Sequence, residues 1–341
     1  MSSKKPLILR ISPVNPELDK IRIAADIIRK GGLVIFPTET VYGLGANAFN
    51  EHAVRRIFEV KGRPQQNPLL VHIANKEWVY KLAEDVPEDA ELLIKKFWPG
   101  PLALVLKRRK GAIPDIVTAG LDTVGLRMPS HGVALALISE AGVPIVAPSA
   151  NRYDRPSPTK VEHIIDELSA VDCIIDSGQT FVGLESTILD LTLEKPTILR
   201  PGVITKEMIE EVLGKEVVYS QHPAPAFWTL DRRYNLRSKL YLVVGEPSKV
   251  RARIKELVNE FKGEKIAVVV TEENFDDYGV EVHVMGSKNN LIEVARNIFD
   301  IMRKLESSGY TLVIFEGFEE VGLAYSIMHR LKKAATAIIR A

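Results

Sequence analysis

Hydrophobic and polar positions in the N-terminal two thirds of the chain alternate with two different periods. Apolar side chains at Leu18, Ile21, Ala25 and Ile28 recur every three to four residues, as on one face of an amphipathic helix. Asn-Pro-Glu at 15–17 is typical of a helix start, because Asn can cap and Pro suits the first helical position. The same period predicts further helices at 51–60, 89–97, 133–141, 160–168 and 206–213.

Short apolar runs between these helices predict strands. They lie at 33–36, 69–73, 102–107, 123–128, 144–147, 173–176, 187–191 and 197–199. Strands and helices do not alternate strictly along this part of the chain. The order therefore favours a mixed sheet with helices packed on it over a regular parallel barrel.

The alternation of predicted strands and helices becomes more regular in the last hundred or so residues. Strands are predicted at 240–244, 266–270, 280–284 and 311–315, and helices at 250–261, 291–305 and 324–336. This alternation is typical of a small open sheet, mainly parallel. The stretch before it has no periodicity and combines Pro, aromatic and Arg residues. We therefore predict a first domain at 1–214, a linker at 215–238 and a second domain at 239–341.

Composition and charge exclude several classes of protein. The net charge is +1, so no global positive field draws the chain to nucleic acid, and any basic surface must be local. No apolar run approaches the roughly 18 residues of a membrane span. Residues 1–6 lack the apolar core of a signal peptide, and the single cysteine, Cys173, excludes an internal disulfide. We expect a soluble, cytoplasmic protein with no membrane partner.

Polar segments follow several predicted strands, and they hold the candidate chemistry. These segments lie at 37–45, 61–72, 127–131, 147–159 and 183–202. Strand ends are where open α/β sheets gather ligand-binding groups. Their cations, Lys61, Arg63, Arg127 and Arg200, suit phosphates and carboxylates, because Arg offers a bidentate fork and Lys a point charge. Taken singly, each segment is also consistent with turn residues and solvated caps. The residues alone predict an anionic-ligand site and no particular reaction.

Several familiar catalytic motifs are absent from the sequence. There is no G-x-x-x-x-G-K-[ST] phosphate loop and no G-x-S-x-G nucleophile elbow. Gly43-Leu44-Gly45 lacks the third glycine of a dinucleotide fingerprint. The histidines show no metal-ligand spacing, so a zinc site is not expected.

Taken together, the polar segments resemble the YrdC/Sua family, the threonylcarbamoyl-AMP synthases. Residues 37–44, Pro-Thr-Glu-Thr-Val-Tyr-Gly-Leu, resemble the family's opening signature. The family's Lys-x-Arg…Ser-x-Asn tetrad appears as Lys61, Arg63, Ser149 and Asn151. Three further segments fit in order, at 98–102, 127–129 and 185–188.

The second domain resembles the extra domain of the family's long form. The stretch 322–330 matches the ending of that form, although His329 stands where the family usually shows Asn. The linker departs from the pattern as well, with Pro-Ala-Phe at 225–227 and Arg-Tyr-Asn-Leu at 233–236. These departures leave the contribution of the linker to the site less defined than that of the tetrad.

The resemblance implies a fold and a reaction. The fold is α/β, with an N-terminal YrdC-like twisted mixed sheet and helices around a basic cleft, plus a smaller C-terminal Rossmann-like α/β domain. The reaction converts ATP, L-threonine and bicarbonate or CO2 to threonylcarbamoyl-adenylate and pyrophosphate. Its product serves the threonylcarbamoylation of adenosine in tRNA, which downstream threonylcarbamoyl-transfer proteins complete. Mg2+ is expected with ATP, held mostly by phosphates and water.

The resemblance also assigns roles to individual residues. The tetrad, Lys61, Arg63, Ser149 and Asn151, is implied to be catalytic and to bind ATP. The remaining residues implied to line the ATP site are Asn67, Thr118, Ser157, Arg200 and, from the linker, Tyr234. Those implied to hold threonine are Thr38, His72, Ser186 and Arg127, the last pairing with its carboxylate.

Two other functions compete with this interpretation. The first is a module that binds double-stranded RNA or tRNA without catalysis, for which the basic run 107–110 is the candidate surface. A solvated loop is the alternative explanation of that run. The second is a carbamoyl-handling enzyme, which requires further domains with zinc-finger-like cysteine motifs. With one cysteine, this chain lacks such motifs. The role of the second domain is open.

Overall fold

The computed structural model describes residues 5–165, 167–220 and 234–341. Two compact units are present. Among the described residues, the first comprises 5–153, 157–165, 167–181 and 185–220, and the second comprises 154–156, 182–184 and 234–341. Of the predicted linker, residues 221–233 lie outside the described ranges.

Helices and strands of the first unit follow one another in mixed order. The helices are α1 (Leu18–Arg29), α2 (Glu51–Lys61), α3 (Glu77–Leu82), α4 (Glu88–Phe97), α5 (Asp115–Thr118), α6 (Gly132–Ala141) and α7 (Lys206–Leu213). The strands are β1 (Leu7–Arg10), β2 (Val34–Phe36), β3 (Gly43–Asn47), β4 (Val71–His72), β5 (Leu102–Lys107), β6 (Thr123–Arg127), β7 (Ile145–Val146), β8 (Cys173–Asp176), β9 (Thr187–Asp190), β10 (Thr197–Arg200) and β11 (Val218–Tyr219).

These strands form one mixed sheet in the order β1-β8-β2-β3-β7-β4-β6-β5-β9-β10-β11. Parallel pairs such as β4 with β6 alternate with antiparallel pairs such as β5 with β6. The prediction of a mixed sheet with helices packed on it is therefore confirmed. Since successive side chains of a strand point to opposite faces, the fully buried β2 serves two cores. Ile35 packs into one of them, while Val34 and Phe36 pack with α1 and α6 into the other.

The strand β3 was not predicted, because its sequence, Gly-Leu-Gly-Ala-Asn, has little β-propensity. It nevertheless pairs antiparallel with β2 and with β7. A Cβ on Gly45 would lie 2.7 Å from the ring of Phe36, so glycine leaves room for that ring. Packing between neighbouring strands thus overrides local preference here.

Other sequence-based boundaries differ from the structure. At 160–168 the described residues contain only a three-residue 3-10 turn, Val161–His163, so the predicted helix is wrong there. The side chain of His163 accepts a hydrogen bond from the amide of Thr159, 3.2 Å away, which closes this stretch as a local turn. Helix α1 has Glu17, and not Asn15, at its N-cap. The strand β11 lies within the predicted linker and pairs with β10.

The second unit is a five-stranded sheet in which all strand pairs are parallel. Its elements are β12 (Lys239–Val244), α8 (Pro247–Glu260), β13 (Ile266–Val270), β14 (Glu281–Val284), α9 (Leu291–Ser307), β15 (Leu312–Glu316), α10 (Leu323–Ala334) and β16 (Ala337–Arg340). The strand order is β14-β13-β15-β12-β16. The predicted mainly parallel open sheet is confirmed. The sequence patterns did not predict β16.

Within the described ranges, no helix has the length and apolar character needed to span a bilayer.

Candidate active site

A small cavity of about 90 Å³ lies in the first unit where several strands end. It is bordered by residues after β2 and β7, by β4 and β6, and by the start of β9 and the end of β10. Six of the residues implied by the family resemblance line it: Arg63, His72, Arg127, Ser149, Ser186 and Arg200. The prediction that polar strand ends converge on one site therefore holds for these residues.

Lys61 is the last residue of α2, and its side chain turns into the protein. Gly62 ends the helix in the left-handed conformation, with φ of 63°, which redirects the chain toward Arg63. The Lys61 ammonium donates hydrogen bonds to the carbonyl oxygens of Ser149 and Asn151. Burial, and next the nearby Arg63, hold the pKa of Lys61 well below its usual value. The tetrad residues are thus joined through Lys61, which links the two halves of the motif.

Ser149 is placed by the backbone of β3. Gly43 and Ser149 form an isolated antiparallel bridge, and the amide of Leu44 donates to the carbonyl of Pro148 at 2.8 Å. The side-chain amide of Asn151, which is 5% exposed, donates to the carbonyl of Arg152 at 2.7 Å. The glycine-rich strand that the sequence patterns missed therefore holds Ser149, one residue of the tetrad, in position.

Arg63 and Asn67 belong to one cluster around Tyr153. The Arg63 guanidinium donates to the carbonyl of Pro68 at 3.1 Å and lies 5.7 Å from the centre of the Tyr153 ring. The buried side-chain amide of Asn67 donates to the Tyr153 hydroxyl at 2.6 Å. Tyr153 was not predicted as a site residue. It supports Arg63 by a cation–π contact and Asn67 by a hydrogen bond.

Arg127 is almost fully buried and makes polar contacts on three sides. Its guanidinium lies 2.7 Å from the carboxylate of Glu39, and Nη1 donates to the Thr40 hydroxyl at 3.1 Å. A longer bond of 3.4 Å runs from Nε to the carbonyl of Gly100. Glu39 and Thr40 lie in the signature segment, but no role was predicted for either of them. They hold the Arg127 fork at the wall of the cavity.

Thr38 closes the turn that places Thr40. Its hydroxyl donates to the carbonyl of Val41 at 2.7 Å and lies 2.8 Å from the Thr40 hydroxyl. Since a hydroxyl has one donor, Thr40 supplies the proton between the two and accepts from Arg127. The predicted role of Thr38 as a threonine ligand remains a prediction. The structure shows it stabilising the turn.

His72 lies on the short strand β4 and is 2% exposed. Burial, followed by the positive charge of Arg127, lowers its pKa to about 3. The imidazole is therefore neutral at pH 7. Its Nδ1 is buried without a hydrogen-bond partner among the described residues. A neutral ring lining a cavity in this way can exchange a hydrogen bond with a ligand hydroxyl.

Two further pairs of polar residues are in contact at the cavity. The Ser157 hydroxyl donates to Glu185 at 2.5 Å. The Arg200 guanidinium donates from Nε to the carbonyl of Ser186 at 3.0 Å and from Nη2 to its hydroxyl at 3.1 Å. Glu185, for which the sequence patterns indicated no role, is the one carboxylate among the described residues that line the cavity.

Two predicted residues are not among those that line the cavity. Thr118, in α5, is fully buried and accepts a hydrogen bond from Arg108 at 3.1 Å, and it does not line the cavity. Tyr234 belongs to the second unit, where its ring packs edge-on against Phe299 with centroids 5.8 Å apart. Their roles at an ATP site remain predictions.

The basic run 107–110 is engaged largely in contacts within the chain. Lys107 lies 3.0 Å from a carboxylate oxygen of Glu84, and Arg108 lies 2.6 Å from Asp115. Arg109 donates to the carbonyl of Tyr80. The two ion pairs neutralise part of the charge that an RNA backbone would require, so the structure offers no support for the RNA-binding alternative at this run.

The charges of the cavity indicate what it binds. The cavity is lined by three arginines, Arg63, Arg127 and Arg200, and by one carboxylate, Glu185. Glu39 pairs with Arg127 but is not among the lining residues. Among the described residues, no group of three or more His, Cys, Asp or Glu side chains is placed to hold a metal ion. Fold and site together therefore define an α/β protein with a cationic strand-end cavity for an anionic ligand.

Comparison with known proteins identifies the family. A family model described as "Telomere recombination" (Sua5_yciO_yrdC) matches residues 26–202, and one described as "Threonylcarbamoyl-AMP synthase, C-terminal domain" matches residues 204–336. The chain belongs to the threonylcarbamoyl-AMP synthase family, and it is an enzyme of the nucleotidyl-transferring type.

The relatives and solved structures agree with this assignment. The threonylcarbamoyl-AMP synthase of Pyrococcus abyssi (strain GE5 / Orsay) is 46% identical over 328 residues, covering 93% of this chain and 94% of the relative. The Bacillus subtilis (strain 168) synthase is 42% identical over 325 residues, covering 93% of each chain. The crystal structure of P. abyssi Sua5 complexed with L-threonine has a TM-score of 0.90 and 44% identity, covering 98% of this chain and 99% of that one.

Proposed function

We propose that the protein makes L-threonylcarbamoyladenylate and pyrophosphate from ATP, L-threonine and CO2 derived from bicarbonate. The neutral amine of threonine attacks the carbon of CO2. An N–C bond forms, one C–O π bond opens and leaves its electron pair on oxygen, and the nitrogen releases a proton to water, which gives a carbamate. A carbamate oxygen then attacks the α-phosphorus of ATP. An O–P bond forms, the bond from the α-phosphorus to the bridging oxygen breaks, and pyrophosphate leaves.

The observation that carries this proposal is the convergence of Arg63, Arg127, Arg200 and neutral His72 on one cavity in a chain of this family. Both reactants are anions, so the protein must neutralise their charge and align them. Positioning and electrostatic stabilisation account for most of the catalysis in such transfers, and no protein nucleophile is required. The arginines and the buried Lys61 match that requirement.

Arg127 is the proposed ligand of the threonine carboxylate. It lines the cavity and is 4% exposed, and carboxylates match its planar fork. His72 and Ser186 would take the remaining polar groups of threonine, with Thr38 supporting them through its turn. A cavity of about 90 Å³ is well below the roughly 300–1,000 Å³ of drug-sized ligand sites, so it suits the amino acid and leaves ATP mostly outside.

ATP would lie against the tetrad and its neighbours. Lys61 and Arg63 are proposed to hold phosphate oxygens and the charge that develops during transfer. Residues proposed to line the rest of the nucleotide site are Asn67, Ser149, Asn151, Ser157 and Arg200, with Thr118 and Tyr234 as further candidates. Lys61 is fully buried, so a phosphate arriving beside it would favour its charged form.

Mg2+ is proposed to accompany ATP. Glu185 is the one carboxylate on the described cavity wall, and Mg2+ typically keeps several waters while binding one or two carboxylates and substrate phosphates. The described residues fit an ion that the phosphates bring in. Its chemistry would be to neutralise charge on the phosphates.

The product would serve N6-threonylcarbamoyladenosine formation in tRNA through separate transfer proteins. The single, buried cysteine is consistent with a reducing compartment, and we propose the cytoplasm.

Pyrophosphate release tests the proposal directly. The full chain is incubated with ATP, Mg2+, bicarbonate and one amino acid at a time, and each component is omitted in turn. Release that requires both bicarbonate and threonine supports the proposal. Release with another amino acid overturns the threonine assignment, and no release from folded protein in any combination overturns the synthase function.

A further inference from the structure

The second unit has a topological switch point between two neighbouring strands. From β12 the chain passes through α8 to β13, on the far side of β15. From β15 it passes through α10 to β16, on the opposite side of β12. The direction of the connections therefore reverses between β12 and β15. In open parallel sheets, ligands bind outside the carboxyl ends of the strands at such a point.

A cavity of about 700 Å³ opens at this place. Its walls include residues 244–246, which follow β12, and residues 316–318, which follow β15. This volume lies within the range of about 300–1,000 Å³ typical of small-molecule and cofactor sites. The sheet topology and the cavity are independent observations, and both point to the same strand ends.

Glycines at the two strand ends form part of the wall. A Cβ on Gly245 would lie 2.9 Å from the carbonyl oxygen of Ala341, and one on Gly317 would lie 2.7 Å from Cγ1 of Val244. Side chains do not fit at either position without displacing neighbours. The cavity is therefore bordered by main-chain atoms at the ends of both strands. The nuclear magnetic resonance signals of the glycine amides there are expected to shift when a ligand binds.

Most charged groups at the cavity are paired with one another. Lys288 lies 2.5 Å from the buried carboxylate of Glu316, which also accepts hydrogen bonds from Thr271 and Asn274. Lys332 pairs with Glu320. Arg340 is exposed and lies at the end of β16, and the structure gives its side chain no ion pair in the described part of the chain. Arg340 is therefore the cation available to a ligand anion.

The same cavity has an apolar wall and further acceptors. Phe318, Met328 and Ile338 line it together with Arg340. Glu246, which follows β12, adds a carboxylate that accepts from the Ser248 hydroxyl at 2.9 Å and lies 3.6 Å from Lys249. Since a carboxylate has about four acceptor sites, it can also accept from ligand hydroxyls. One small ion or amino acid would leave much of this volume to water, whereas ligand sites bury most of the ligand surface. The lining thus suits a ligand with a flat apolar part, hydroxyls and one anionic group.

We propose that this cavity binds a nucleoside monophosphate. The base packs against Phe318 and its apolar neighbours, the ribose hydroxyls donate to Glu246, and the phosphate accepts from Arg340. The site is built from other residues than the one proposed for synthesis, and its occupancy does not depend on that activity.

Nuclear magnetic resonance of the full chain tests the proposal, with AMP as the probe. AMP is expected to shift the amide resonances of Gly245 and Gly317 in a saturable manner. Arg340→Ala and Phe318→Ala are each expected to weaken that binding about tenfold, the former through loss of a charge-assisted hydrogen bond. Lys262→Ala, an exposed change in the same unit outside the cavity, serves as the matched control and retains wild-type affinity.

Parallel titrations with adenosine and with inorganic phosphate separate the two parts of the ligand. Both are expected to bind at least tenfold more weakly than AMP. The proposal is overturned if AMP shifts neither glycine at millimolar concentration, or if both cavity variants bind AMP as tightly as the control. Phosphate that binds as tightly as AMP also overturns it, because the nucleoside then contributes nothing. Pyrophosphate release measured on the same samples reports separately on the synthase.

Discussion

The replacement Arg127→Lys tests the proposal that the planar guanidinium of Arg127 binds the threonine carboxylate. Lysine keeps the positive charge beside Glu39, which is 2.7 Å from the arginine in the native protein. It removes the planar fork, which also donates to Thr40 at 3.1 Å. A point charge on a flexible stem cannot hold Glu39, Thr40 and a substrate carboxylate in one geometry. We expect the variant to fold and to bind threonine poorly.

The expected size of the effect follows from the hydrogen bond that lysine cannot make to the threonine carboxylate. One charge-assisted hydrogen bond contributes about 1.5–3 kcal/mol, which corresponds to roughly a 10- to 100-fold rise in the KM for threonine. The companion change Arg127→Ala leaves Glu39 buried with no cation beside it. Removing one partner of a buried ion pair costs about 3–5 kcal/mol of stability. Lysine should recover most of that stability but little of the threonine affinity.

The assay is pyrophosphate release at varied threonine with saturating ATP and bicarbonate, together with urea unfolding of each variant. Arg22→Lys, on an exposed arginine whose side chain is 63% accessible, is the matched control and should leave both quantities unchanged. A threonine KM within about threefold of wild type would refute the carboxylate assignment. An equal rise in the KM for ATP would refute its specificity for threonine.

Three further predictions concern neighbouring residues. Lys61→Ala should reduce turnover more than ATP affinity, because the cation matters most in the transition state. Turnover is measured by kinetics and ATP affinity by nucleotide titration, and equal losses in the two would contradict this. Burial lowers the pKa of His72 to about 3 from 6.5, so the folded state resists protonation. The stability that this residue contributes should be complete above pH 6.5, fall by about 1.4 kcal/mol per pH unit between pH 6.5 and about pH 3, and fall no further below that. Urea titrations should show a shallower fall for His72→Asn, and an identical fall would contradict the assignment. Gly202→Ala should lower the free energy of unfolding by about 1–3 kcal/mol, because the added Cβ would lie 2.4 Å from the amide nitrogen of Thr187. An unchanged melting midpoint would refute that.

Long amphipathic helices were predictable from the sequence. The pattern at 206–213 coincides with α7, where Thr205 caps the first turn and Gly214 ends the helix in the left-handed conformation. Such signals are local, because capping groups and a 3.6-residue period are contained within the helix itself. The short strands depended on distant partners instead. Residues 337–340 became β16 because they pair with β12, which lies almost a hundred residues earlier in the chain.

The candidate site shows the same division between local and distant information. Arg127 and His72 were identified as site residues through the family resemblance, because each polar segment taken singly is also consistent with turn residues and solvated caps. Glu39, Tyr153 and Glu185 were missed because each acts through a partner that is distant in sequence. Glu39 could have been suspected as an acid enclosed by apolar and hydroxyl residues, since a buried carboxylate requires a cation.

Several cations of the site donate hydrogen bonds to neutral acceptors. Lys61 donates to two carbonyl oxygens, Arg63 to the carbonyl of Pro68, and Arg200 to the carbonyl and hydroxyl of Ser186. Neutral acceptors orient a guanidinium or ammonium without cancelling its charge, whereas a carboxylate would do both. Preorganised charge of this kind stabilises a transition state that gathers two anions, because no reorganisation is needed when they meet. Arg127 also contacts a carboxylate, that of Glu39, which compensates part of its charge before any ligand arrives, and this is consistent with its proposed role as the ligand of one substrate carboxylate.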